Sequence, residues 1–320
     1  KQTVGAYLDE WLGGRVSLEP GTRVTYERSI RLYIKPALGK IRLQDLRYSH
    51  CQSFVQQLAS DPNRKKPLSA KTIHNAVGVL TKALSDAVRR ELISNNPAEN
   101  LDMPRVEKAP PKVMETSEQA AFLEIIRSSP YKNIFLFALY TGARESEVLG
   151  LQWKNVNMKT GEIRIDKQLA RKKGEEVERA LKSTKTHKSR TIIVPQHVLN
   201  LLKAQSVRQK EWRLRAGELW ANNDNLVFTR EDGTPMPHNT ISKAFKQAAK
   251  KIGRPELCFH DLRHTFITDE IRSGTDVKTV AEMAGHSNAS TTLNIYAAAT
   301  NEMKQAAADR RQAAYEKANA

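Results

Sequence analysis

The stretch MPRVEKAPPKV, residues 103–113, carries three prolines. Their locked φ angles and missing donors suit neither a helix interior nor a central strand, so the stretch reads as an extended linker. The residue pattern changes across it. Before it, TVGAYLDEWL sets Val4, Tyr7, Leu8 and Trp11 on one helical face behind a Thr3 cap. GTRVTYERSIRLYI follows a Pro-Gly turn, SHCQSFVQQLAS starts at a Ser49 cap, and SAKTIHNAVGVLTKALSDAVRRELI runs from a Ser69 cap to the breaker NNP. After it, SEQAAFLEIIR and NIFLFALYTG read as helices. GEIRIDKQ, VERALKST and SRTIIVP alternate or run β-branched around turns at KKGEE and KTHK, which fits a three-stranded antiparallel meander. Helices resume from PQHVLNLLK to the end. The expectation is a mainly α protein with a small antiparallel β-meander. Its parts would be a helical domain over 1–104, a linker over 105–113, a mixed α/β domain over 114–302 and a tail helix over 303–320.

At 320 residues the chain is long enough for two domains with separate cores. The longest apolar run, NIFLFALYTGA, is too short for a membrane span. Cys51 and Cys258 stand alone and no signal peptide is apparent, so a cytoplasmic, reducing setting is expected. The chain begins at Lys1, which leads us to expect an upstream domain. Its net charge is +17. A cut after Lys112 leaves 19 basic against 11 acidic residues before it and 33 against 24 after it, +8 and +9. Two basic bodies point to a polyanion gripped from two sides.

Four short motifs carry chemistry. In TGARESEVLGL, Arg144 follows a Thr-Gly turn at a helix start, with Glu147 one turn on and able to orient it. In STKTHKSR, Lys185 falls in the turn between the last two expected strands. In HDLRHTF, His260 and Arg263 share a helix face. His260 and His264 also stand at i, i+4, but HDLRH lacks the glutamate of HExxH, so no metal is expected and His264 reads as a core residue. In GHSNASTTLNIY, residues 285–296, Gly285 closes a helix begun at Thr275 or Asp276 and carrying Val277, Val280, Ala281 and Ala284. His286 follows, and a second short helix capped by Ser290 ends on Tyr296. Taken alone, Tyr296 reads first as a half-buried core aromatic with its hydroxyl bonded.

Together the set suits phosphoryl transfer. Two bidentate arginines can hold the non-bridging oxygens of a phosphodiester and offset charge that grows in the transition state. A lysine can protonate the leaving oxygen, a histidine can take the phenolic proton or orient the phosphate, and a tyrosine can attack. No carboxylate cluster suggests a two-metal site and no GxxxxGK[ST] suggests ATP, so no cofactor is expected.

These four motifs, in this order and spacing, resemble the tyrosine recombinase (phage integrase) family. The resemblance covers residues 114–300 closely and 1–104 more loosely. It implies a helical core-binding domain joined to a mixed α/β catalytic domain. It implies that Arg144 and Arg263 clamp the phosphate, that Lys185 is the general acid and that His260 and His286 serve the same phosphate. Tyr296 would attack to give a 3′-phosphotyrosine. The resemblance further implies a site-specific recombinase of a phage or conjugative transposon that lacks an N-terminal arm-binding domain here. Its partners would be double-stranded DNA, further copies of itself as dimer to tetramer, and an accessory DNA-bending or excision factor. The tail of such enzymes often docks on a neighbouring protomer. DNA contacts are expected from Arg23, Arg28 and Arg31 in RVTYERSIR, from Arg64, Lys65, Lys66 and Lys71 in NRKKPLSAK, and from the hairpin tip Arg171, Lys172 and Lys173. Two rivals share parts of this reading: a monomeric type IB topoisomerase, and a catalytically idle architectural DNA-binding protein.

Overall fold

A computed structural model of the chain describes residues 2–60, 67–107, 109–170, 181–183, 189–286 and 288–296, with 308, 311–312, 315–316 and 318 of the tail. Two units emerge, Lys1–Lys108 and Ala109–Ala320.

In the first unit, α1 (Val4–Gly13) is capped by the Thr3 hydroxyl, which accepts from the Ala6 N–H. Helix α2 (Pro20–Ser29) runs through a π-helical stretch (Ile30–Ile34) into α3 (Lys35–Leu38). Pro20 and Gly21 form its first turn instead of a preceding one, since a proline gives up only an N–H that has no helical partner there. Helix α4 (Tyr48–Ser60) takes Ser49 inside it, because the Arg47 carbonyl already accepts from His50 and Cys51. Helix α5 (Ala70–Arg89) starts at the expected Ser69 cap. The α1 face of Val4, Tyr7, Leu8 and Trp11 is fully buried among Ile34, Phe54, Leu80 and Leu84. Its two polar tips are satisfied: the Tyr7 hydroxyl donates to the Ala83 carbonyl and the Trp11 indole N–H to Asp86, each at 2.7 Å. Burial lifts the Tyr7 phenol to about 12 and the Cys51 thiol to about 12, so both stay protonated at neutral pH.

In the second unit, α6 (Thr116–Ile126), α7 (Lys132–Thr141) and α8 (Glu145–Leu149) precede the strands. These are β1 (Glu162–Ile165), β2 (Lys167–Leu169), β3 (Leu181–Ser183) and β4 (Arg190–Ile193). Helices α9 (Gln196–Ala216), α10 (His238–Lys251), α11 (Asp261–Arg272), α12 (Val277–Ala284) and α13 (Ala289–Tyr296) complete it. The rings of Phe122, Phe135, Phe245 and Phe259 meet in tilted and edge-on pairs at its centre. Among the described residues no helix is long and apolar enough to cross a membrane.

The β element is small and antiparallel, but among the described residues it is not three strands in a row. GEIRIDKQ supplies both β1 and β2; β1 pairs with β4 and β2 with β3, as two separate two-stranded ladders. The break falls at Asp166, whose carboxylate accepts from the Asn155 side chain at 2.8 Å. Ile163 and Ile165 point into the core while Glu162 and Arg164 face out, the alternation of a half-buried strand.

Candidate active site

Two helix ends build the site, each finished by a left-handed glycine. Helix α7 stops where Gly142 adopts φ +61°; a Cβ there would sit 2.4 Å from the Phe266 ring. Helix α12 is capped by Asp276, which accepts from the Lys278 and Thr279 N–H groups, and stops where Gly285 adopts φ +71°. The Gly285 N–H returns to the Glu282 carbonyl and the His286 N–H to Ala281, a Schellman closure that fixes the direction in which His286 leaves the helix.

Both glycine carbonyls are taken by arginines. Arg263, in the first turn of α11, donates from Nη1 to the Gly142 carbonyl at 2.8 Å. Arg144, the N-cap of α8, donates from Nη2 to the Gly285 carbonyl at 3.0 Å. Glu147, 3% exposed, binds Arg144 twice: Oε2 accepts its backbone N–H at 2.9 Å and Oε1 accepts Nη1 at 2.8 Å. The same carboxylate takes a two-pronged pair from Arg190, with Nη1 to Oε1 at 3.0 Å and Nη2 to Oε2 at 2.8 Å. Burial alone would raise the Glu147 pKa. The hydrogen bonds and charge of Arg190, then those of Arg144, overcome it and hold the carboxyl at about 2.

Arg263 is 1% exposed, and its Nε and Nη2 have no hydrogen-bond partner among the described residues. Burial first, then the charge of Arg144, pushes the guanidinium down to about 9, which still leaves it cationic at neutral pH. His286 is half-buried, and its Nδ1 lies 2.8 Å from the Thr292 hydroxyl, while Nε2 has no hydrogen-bond partner among the described residues. Desolvation, then Arg263 and Arg144, brings its pKa down to about 4. His260 falls to about 4 through desolvation, then through His264 and Arg263. Both rings are therefore neutral at pH 7 and able to accept a proton.

Arg144, Glu147, His260, Arg263 and His286 thus share one electrostatic neighbourhood. Tyr296 is the last residue of α13; its side chain lies outside the described residues, as does Lys185, which falls between β3 and β4 in the chain. His264 is partly buried and not a core side chain: its ring sits edge-on to that of His260 at 4.9 Å, and its Nδ1 lies 3.0 Å from the Asp261 carboxylate at the edge of the site. Ser290 is not the cap of α13; its N–H donates to the Asn288 side chain at 2.9 Å, which takes that role. Among the described residues no group of three or more His, Cys, Asp or Glu is placed to hold a metal.

Two residues of the site were missed in the sequence. Arg190 shares the inward phase of β4 with Ile192, and an arginine in the buried register of a strand was the available signal. Thr292 precedes Tyr296 by one helical turn, and no pattern marked it. Of the expected DNA contacts, Arg28, Arg31 and Lys71 are exposed, whereas Arg23 is partly buried and donates to the Arg15 carbonyl. Arg64, Lys65, Lys66, Arg171, Lys172 and Lys173 lie outside the described residues.

The sequence profile described as the phage integrase family matches residues 112–303, well over half of the chain. The chain belongs to the phage integrase family. It is accordingly a tyrosine recombinase, an enzyme that cuts and rejoins DNA at specific sites. The family's N-terminal SAM-like domain matches residues 3–59. A tyrosine recombinase XerC-like protein of Caldanaerobacter subterraneus subsp. tengcongensis is 30% identical over 312 residues, which span 92% of this chain and 78% of that one. An integrase of Streptomyces ambofaciens is 26% identical over 92% of this chain and 76% of its own length. The ICEBs1 integrase of Bacillus subtilis is 28% identical over 72% of this chain and 62% of its own. Among solved structures, the Tn1549 transposon integrase in complex with a circular intermediate DNA superposes with a TM-score of 0.81 at 23% identity, over 97% of this chain and all of that one. A lambda integrase dimer bound to a COC′ core site gives 0.69 at 15% identity, over 92% and 95%. At those identities the superpositions speak for the fold.

Proposed function

We propose that this family member acts as the integrase of a mobile element, cutting duplex DNA through a 3′-phosphotyrosine on Tyr296. The observation that carries this reading is Arg263: a cationic guanidinium at 1% exposure whose Nε and Nη2 lack a partner among the described residues, close to Arg144. A buried cation with two unmatched donors is unfavourable unless an anion completes it, and a phosphodiester offers two oxygens at the spacing of that fork. Arg144 supplies the second clamp. Neutral His286 and His260 are suited to orient the phosphate or accept the phenolic proton, and Lys185 to protonate the leaving 5′ oxygen. The products are a phosphotyrosine ester and a free 5′ hydroxyl; attack by a second 5′ hydroxyl reverses the step and rejoins the strand, so no energy carrier is consumed.

In this reading residues 1–104 form the core-binding domain, 105–113 the linker and 114–302 the catalytic domain. Arg28, Arg31 and Lys71 meet phosphates from the first domain. Lys71 stands in the first turn of α5, where the helix dipole disfavours a cation unless an anion faces it. The relatives bound to circular-intermediate DNA, or as a tetramer on a Holliday junction, support double-stranded DNA as substrate and dimer-to-tetramer assembly as the working form. The tail from residue 303 docks on a neighbouring protomer, and an accessory factor bends the DNA or selects excision.

The test is Tyr296→Phe on a nicked substrate that traps the cleaved strand. Half-site binding should match the parent and no protein–DNA adduct should form. An adduct that persists in this variant refutes the assignment.

A further inference from the structure

We propose that Arg190 is a positioning residue for strand cleavage, acting on the phosphate clamp through Glu147 and through the end of α12. The inference rests on the clamp reading above. Arg190 opens β4 opposite Ile165, and its side chain is 12% exposed. Every guanidinium nitrogen has a protein acceptor: Nε donates to the Met283 carbonyl at 2.8 Å, Nη1 and Nη2 to the two oxygens of Glu147. Its fork is thereby committed inside the protein, unlike that of Arg263.

The contacts close a circuit. Arg190 joins Glu147 to the last turn of α12; Glu147 holds Arg144 by backbone and side chain; Arg144 returns to the Gly285 carbonyl, two residues beyond Met283. Three elements far apart in sequence, α8, β4 and α12, are pinned at one point, and the next residue out is His286. A Cβ on Gly285 would lie 2.6 Å from Arg190 Nη1, so the guanidinium also lies flush against the Schellman turn that aims His286.

Charge gives Arg190 a second task. Glu147 is an anion beside a cation that must attract phosphate. Without Arg190 the carboxylate would cancel the charge of Arg144 and leave the clamp only that of Arg263; with Arg190 sharing the carboxylate, a second net positive charge remains for the phosphate. Only a planar fork reaches both carboxylate oxygens and the Met283 carbonyl together, which a lysine cannot do.

Arg190→Lys separates these roles from general stability. Single-turnover cleavage of the nicked substrate should fall by about 10- to 100-fold, the scale of a slight misplacement of reacting groups. Half-site affinity should stay within about threefold. If the effect passes through the α12 end, it should shrink to about twofold in a His286→Ala background, because residues acting in one unit are not additive. Parental cleavage by Arg190→Lys overturns the inference alone. So does an equal loss in both backgrounds, or a loss of DNA binding in step with cleavage, since a fold-wide role would give those. A parental chain that binds DNA yet forms no adduct overturns the clamp reading and this inference with it.

Discussion

Arg144 and Arg263 are held in the same way, by one nitrogen on a backbone carbonyl, yet their remaining donors differ. Arg144 shares Glu147 with Arg190, while Arg263 keeps two donors unmatched among the described residues. Arg144→Lys keeps the charge but loses the fork that spans Glu147 and the Gly285 carbonyl. Cleavage should slow by about 10²-fold with far less change in binding. Equal losses in single-turnover rate and in half-site affinity would reduce Arg144 to a backbone contact. The histidines make the free protein sensitive to acid. An unfolded histidine titrates near 6.5, whereas His286 and His260 titrate at about 4 in the fold. As pH falls below 6.5 the unfolded chain gains protons that the folded chain refuses, so their contribution is full above 6.5 and is lost between 6.5 and 4. His286→Gln should narrow the drop in melting temperature between pH 7.5 and pH 5. A drop as large as the parent's would show that this ring does not titrate low.

At the scale of elements, the end of α12 is where one residue controls most. Gly285→Ala forces a side chain into φ +71° and against Arg190, and should cost about 1–3 kcal/mol. It should also lower cleavage more than a control of equal instability elsewhere, such as Ala248→Gly in α10; matched losses in denaturant melts and cleavage assays would make the turn merely structural. This turn was legible in the sequence, because Gly followed by a polar stretch after Val277, Val280, Ala281 and Ala284 has one favourable geometry. The caps at Thr3 and Ser69, and the burial of the Val4-Tyr7-Leu8-Trp11 face, were legible for the same local reason. Where long-range pairing decides, local pattern was insufficient. Nothing in GEIRIDKQ says that its two halves choose different partners, and nothing near SRTIIVP says that Arg190 reaches Glu147 43 residues away. Arg144, His260, Arg263 and His286 could be singled out as candidates because their motifs resemble those of the family and sit at helix ends, where local signals are strongest. Arg190 and Thr292 act through contacts that only the folded chain creates.

For the whole molecule, Arg263 has a consequence for the lifetime of the free chain. Anything that binds the folded form alone adds to its stability by mass action, and the addition is largest where it relieves an unfavourable site. Sulfate or vanadate should therefore raise the melting temperature above that in sodium chloride of equal ionic strength. Arg263→Gln should remove that difference; an equal rise in this variant would locate the anion elsewhere. In a cell, nucleic acid is an abundant polyanion suited to a chain that is basic in both units. Molecules seated on DNA would then be the durable fraction, and those adrift would open more often and be cleared sooner by proteolysis. The amount of enzyme would thus follow the number of places it has to work, through a guanidinium with two donors unmatched among the described residues.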